Sequence, residues 1–119
     1  MEEILRALSA VRVPPMSEEY EIHALIADAL RAYGMEFVHE ARLAPRCRVD
    51  FLVGGIGIEV KKSRIPRKDL IEQLTRYLAS ENLRGCIAVL PVSMSLPREI
   101  LGKPVKVLAL NTLWGVALP

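Results

Sequence analysis

Arg48-Val49-Asp50-Phe51-Leu52-Val53-Gly54-Gly55-Ile56-Gly57-Ile58-Glu59-Val60-Lys61 is the stretch that decides how this chain folds. Two apolar runs meet at Gly54-Gly55, and glycine takes the positive φ that a two-residue hairpin loop demands. With those two residues as the loop, Val53 faces Ile56, and counting outward sets Asp50 opposite Glu59. Side chains opposed in this way lie about 4.5–5.5 Å apart at Cβ, where like charges repel. A divalent cation between the carboxylates would offset the repulsion. Alternation along the second strand puts Ile56, Ile58 and Val60 on one face and Gly57, Glu59 and Lys61 on the other, so the charged residues project together.

Two acidic oxygen ligands suit a hard cation such as Mg2+ or Mn2+, and a lysine beside them orients and helps deprotonate the attacking water. These residue types at this spacing point to hydrolysis of phosphodiesters. The competing reading is a solvated outer hairpin face on which Glu59 and Lys61 are surface charges. Asp within an apolar, strand-like run weighs against it, because Asp is depleted in strands.

Outward from the hairpin, Glu36 to Leu43 reads as a preceding strand. Further upstream, Ile22, Leu25, Ile26, Ala29 and Tyr33 recur at helical spacing, with Ser17 as N-cap, Glu18 and Glu19 in the first turn, and Gly34 closing the helix. A short helix around Ile4, Leu5 and Leu8 ends before Pro14-Pro15. Downstream, Pro66 introduces a helix over Arg67 to Ser80 with Leu70, Leu74, Tyr77 and Leu78 as its apolar stripe. Gly85 to Leu90 is a continuous apolar run that suits a strand buried on both faces. Leu96 to Leu101 reads as a short helix before a last strand, Val105 to Leu110. The fold class expected is α/β, with a mixed central sheet flanked by helices and a helical crossover into a parallel strand.

The 119 residues suit one domain with one core. Within it, 1–16 is an N-terminal extension, 17–90 the core, and 91–119 a C-terminal strand and tail. A formal net charge of +2 says little about partners, so the distribution of charge matters more. Arg42, Arg46 and Arg48 precede Asp50, and Lys61, Lys62, Arg64, Arg67 and Lys68 follow Glu59; both clusters could hold a phosphate backbone. The alternative is a solvated charged rim. The two cysteines, Cys47 and Cys86, lack metal-ligand spacing and no signal peptide is visible, which suggests reduced thiols in a cytoplasmic protein. No apolar run reaches the roughly 18 residues of a membrane span. Eight prolines and only three side-chain amides, Gln73, Asn82 and Asn111, suggest a thermophilic source.

Asp50 followed by Glu59-Val60-Lys61, in an α-β-β-β-α-β order spanning about 17–90, resembles the metal-binding signature of the PD-(D/E)XK nuclease superfamily, the restriction-endonuclease-like fold. Val49 stands where the name's proline would be. Gln73-Leu74-Thr75-Arg76-Tyr77 is similar to the Gln-x-x-x-Tyr motif of RecB-type exonucleases in that superfamily, and residues four apart share a helix face. The resemblance implies a metal-dependent deoxyribonuclease. In it Asp50, Glu59 and the Val60 carbonyl hold Mg2+ or Mn2+, Lys61 poises the water, and Gln73 orients. Arg48, Lys62, Arg64, Arg67, Lys68 and Tyr77 would meet DNA. Members of the superfamily also draw a residue from the first helix of the core. Glu19 and His23, one turn apart, both fit: a glutamate in resolvase-like relatives, a histidine in RecB-type ones. Glu21 falls further toward solvent, and Glu40 is a further acid near the cleft. Two rivals stand beside the plain nuclease: a DNA-binding module of the same fold without turnover, and a Holliday-junction-resolving homodimer joined through Leu113, Trp114 and Val116.

Overall fold

The computed structural model describes residues 1–110. Its elements run α1 (Glu2–Ser9), α2 (Glu19–Ala32), β1 (Val38–Ala44), β2 (Cys47–Val53), β3 (Ile56–Val60), α3 (Arg67–Leu78), β4 (Gly85–Leu90), β5 (Glu99–Ile100) and β6 (Lys103–Ala109). From α2 to β4 this is the expected α-β-β-β-α-β order. The strands form one mixed sheet, β1-β2-β3-β4-β6-β5, in which β1–β2 and β2–β3 are antiparallel and β3–β4 and β4–β6 parallel. No helix among the described residues is long and apolar enough to cross a membrane.

Helices cover both faces. On one, Ile4 and Leu8 of α1 and Ile22, Ile26 and Leu30 of α2 bury Phe51, Ile58, Val60 and Val89. On the other, Leu70, Leu74, Tyr77 and Leu78 of α3 cover Val49, Cys86, Ala88 and Leu90. The central strands are buried on both sides, as continuous apolar runs require. The β2–β3 loop has φ of 52° at Gly54 and 87° at Gly55, the paired positive values of a type I′ turn. The resulting register is Val53↔Ile56, Leu52↔Gly57 and Phe51↔Ile58.

Two local readings differ from the sequence. The N-cap of α2 is Glu18 rather than Ser17, and its capping box is closed by Glu21; the Ser17 hydroxyl is turned back to donate to the Pro14 carbonyl at 2.6 Å. Leu96 to Leu101 is not a helix. Glu99–Ile100 is a short edge strand that turns through Leu101-Gly102, both at positive φ, and pairs with the start of β6. Pro97 already disfavours a helix through that segment. Leu113, Trp114 and Val116 lie outside the described residues.

Between β1 and β2 the ladder skips one pair without changing register, ahead of the register shift between Arg42 and Ala44, and that gap places the site. Pairing runs His39↔Phe51 and then Ala41↔Val49, passing over Glu40 and Asp50, and Glu40 has φ +53°. Residues two apart on a regular strand share a face. Here Phe51 packs under α1 and α2, whereas Val49 packs under α3. Both strands thus change face at Glu40 and Asp50, and the Asp50 side chain is left at the crossover.

Candidate metal centre

The β2–β3 strands part company at the same point. Paired residues stop at Phe51↔Ile58. In a continued antiparallel ladder the Val60 N–H would donate to a β2 carbonyl; instead it donates to Asp50 Oδ2 at 2.7 Å. The Asp50 N–H in turn reaches Glu59 Oε1 at 3.4 Å. The two acids are therefore neighbours across the opening of the hairpin, as the Gly-Gly register requires. On the far side of β3, Lys61 N–H donates to Val89 O at 2.8 Å. Backbone groups alternate in direction along a strand, so the Val60 carbonyl points back toward the β2 side, where the ladder has ended.

Glu59 is not a solvated charge. It is only 5% exposed, and its Oε2 lies 3.0 Å from Lys61 Nζ. Burial, then repulsion from Asp50, pushes its carboxyl above the ordinary range, while Lys61 and the Tyr77 hydroxyl pull it back. Asp50 is also raised, by burial above all, against the Val60 N–H that favours its charged form. Glu59 thus stays raised even with one ammonium beside it, because two buried carboxyls share that single lysine, and a site with this excess of negative charge suits a cation.

The α2 helix supplies the opposite wall. Its three candidate residues divide by function. Glu21 donates its carboxylate to the capping box, accepting the Glu18 N–H at 2.7 Å. Glu19 and His23, one turn apart, both face Asp50: one ligand atom from each of Glu19, His23 and Asp50 lies within 4.8 Å of the others. An ion with ligand bonds of about 2.0–2.6 Å spans ligand atoms up to about twice that distance apart, so this group is one ion wide.

His23 is oriented for the task. Its Nδ1 lies 2.8 Å from His39 Nε2, and its Nε2 is buried without a hydrogen-bond partner, 3.7 Å from Asp50 Oδ2. Burial, then the His39 imidazole, lowers its pKa, so it is neutral near pH 7. A proton held on Nδ1 toward His39 leaves the Nε2 lone pair facing the acids, the arrangement in which a second residue fixes the tautomer of a metal-binding histidine. His39 is itself stacked on Phe51, with ring centroids 4.7 Å apart. The sequence reading passed over His39; the signal it offered is that it and His23 are the only two histidines of the chain.

On the α3 side, Gln73 Nε2 donates to Tyr77 Oη at 2.9 Å, and the Tyr77 hydroxyl lies near enough to Glu59 to favour its charged form. Gln73 thus reaches the acids through Tyr77, as a positioning residue. Tyr77 is 4% exposed, so only its edge is open to a neighbouring cleft while its hydroxyl lies beside Glu59. Of the expected basic contacts, Arg48 pairs with Glu40 at 3.2 Å and Lys62 with Glu18 at 3.1 Å. Arg67 Nε donates to Ser95 O at 2.7 Å, Arg64 lines a groove with Leu90 and Pro91, and Lys68 is exposed. None of these five touches the acid group directly.

Comparison with protein-family models, with curated proteins and with solved structures finds no match to this chain. Its chemistry is therefore read from the site. Three carboxylates and a neutral imidazole against one ammonium make a net-negative concavity, and the mixed oxygen and nitrogen donors with one orphaned, buried imidazole nitrogen fit a divalent cation.

Proposed function

We propose that the chain is a metal-dependent DNA nuclease of the PD-(D/E)XK type. The observation that carries this reading is the meeting of Asp50, Glu59 and Lys61 at the opened end of the hairpin with Glu19 and His23 across from them. A Mg2+ or Mn2+ ion, when bound, would acidify water and polarise the phosphoryl oxygens of a diester. Asp50, Glu19 and His23 are the residues that would hold it. Glu59 and the Val60 carbonyl border the same opening.

The remaining steps belong to the chain. Lys61 keeps one side of its ammonium on Glu59 and is 23% exposed on the other, so it can donate a hydrogen bond to a water lined up for attack on phosphorus. Tyr77, which accepts a hydrogen bond from Gln73, lies beside Glu59 and would help keep its Oε2 toward Lys61. Lys62, Arg64, Arg67 and Lys68 continue along the exit from β3 into α3, where they would position phosphates without reading bases.

The test is a panel of labelled linear, nicked, flapped and four-way DNA incubated with Mn2+ or with chelator. Cleavage of at least one substrate is expected with the metal alone. Lys61→Ala should abolish cleavage yet keep the stabilisation of the fold by Mn2+. Activity that survives chelation, or survives loss of Lys61, would remove the proposed mechanism.

A further inference from the structure

A second cleft, of about 410 Å³, opens on the α3 side and is lined by Arg42, Arg46, Arg48, Arg76, Gln73 and Tyr77. The hairpin between β1 and β2 and the last turns of α3 bring these arginines together from three separate points of the sequence. Only Arg48 has an ion-pair partner among the described residues, Glu40. Three exposed guanidiniums thus converge with no carboxylate paired to them, a concentration of positive charge that attracts an anionic ligand. Arg46 sits at φ +61° in the two-residue turn, a conformation that costs a non-glycine residue about 1–2 kcal/mol. Gln73, which lines the cleft, has its Oε1 buried without a hydrogen-bond partner.

We propose that this cleft is a subsite for the terminal phosphate monoester of a nucleic-acid end. Guanidinium forks match phosphate oxygens two at a time. An internal diester presents one negative charge and two free oxygens, whereas a monoester presents nearly two charges and three oxygens, one for each uncompensated arginine. The volume accommodates a phosphate with part of its sugar. The cleft shares Tyr77 and Gln73 with the network that holds Glu59, so an end anchored there would lie beside the metal centre. This assignment rests on the nuclease reading and makes the substrate a DNA with a phosphorylated end.

Binding read in chelator separates the two ideas, because it needs neither metal nor turnover. Short fluorescent oligonucleotides with a 5′-phosphate, a 3′-phosphate or hydroxyl ends are titrated with the full chain and followed by anisotropy. One phosphorylated end is expected to bind about tenfold or more tightly than the hydroxyl-ended strand, the range of one or two charge-assisted hydrogen bonds; which end shows the effect gives the polarity. Arg42→Ala and Arg76→Ala each should reduce that preference to within about threefold, and Arg76→Lys, which keeps the charge and loses the fork, should restore only part of it. All three variants alter exposed side chains, and circular dichroism verifies that they fold. Equal affinity for all ends, or a preference that survives both alanine variants, would overturn the proposal. So would an equal loss of affinity for every oligonucleotide, which assigns the arginines to internal phosphates.

Discussion

Asp50 has two separable jobs, and two substitutions take them apart. Its Oδ2 accepts the Val60 N–H at 2.7 Å, replacing the ladder bond that the splayed strands cannot make, and its charge adds to that of Glu59 at a buried position. Asp50→Asn keeps an acceptor for Val60 and deletes the charge. Asp50→Ala deletes both and leaves a backbone donor inside the sheet without a partner, which costs about 1–3 kcal/mol. Because both variants lose the same charge, the difference between them isolates the hydrogen bond. With a urea m-value of roughly 1–3 kcal/mol/M, Asp50→Ala should unfold at a midpoint on the order of 1 M below Asp50→Asn, in chelator at pH 7.5.

The wild type has a second signature in the same experiment. The folded-state pKa of Asp50 is raised, so above the ordinary carboxylate range the native state binds protons more readily than the unfolded chain, and stability falls as pH rises through the raised value. Asp50→Asn lacks this penalty. In chelator it should therefore be more stable than wild type at pH 7.5, with the gap closing as the pH is lowered toward the ordinary carboxylate range. Coincident unfolding of Asp50→Ala and Asp50→Asn would refute the claim that Asp50 substitutes for a missing ladder bond.

Mn2+ at one hundred times its Kd should stabilise the wild type by about 2.7 kcal/mol, with His23→Ala losing most of that gain in thermal denaturation. The lowered pKa of His23 keeps the imidazole more than half neutral at pH 6.5, so Mn2+ affinity measured calorimetrically should fall by less than half on lowering the pH to that value. Gly57→Ala should destabilise by about 1–3 kcal/mol through overpacking, because a Cβ there would stand 3.2 Å from side-chain atoms of both Leu83 and Val49; a neutral substitution in urea titration would mean that β3 and the turn after α3 do not pack so closely. Cys86 is 1% exposed and burial pushes its thiol up to about 12, so native-state alkylation should modify Cys47 alone and reach Cys86 only after unfolding, as counted by mass spectrometry.

Much of this was legible from a few residues. Gly54-Gly55 fixed the turn, the turn fixed the register to Phe51↔Ile58, and helical spacing put Glu19 and His23 on one face of α2. The change of face at Asp50 was not legible. Val49 and Phe51 are both apolar, and in a strand with a core on each side an apolar residue carries no sign of which core it enters. The same ambiguity hid His39, whose position against His23 depends on the matching irregularity at Glu40. Helical geometry could not choose between Glu19 and His23 because the site draws on both. Arg76 escaped notice for a different reason: an arginine on an exposed helix face has no meaning until the β1–β2 turn is known to lie beside it. The segment at Leu96 was misread because its apolar spacing mimics a helix, although Pro97 and Gly102 suit a strand and a turn better.

Crystals grown with Mn2+ and measured at the manganese absorption edge test the metal centre most directly. The expected result is an anomalous peak within coordination distance of Glu19, His23 Nε2 and Asp50, absent from crystals of Asp50→Asn. A map with no peak between α2 and the opened hairpin at millimolar Mn2+, or with its only peaks on surface carboxylates elsewhere, would contradict the reading of this site as a metal-dependent hydrolase.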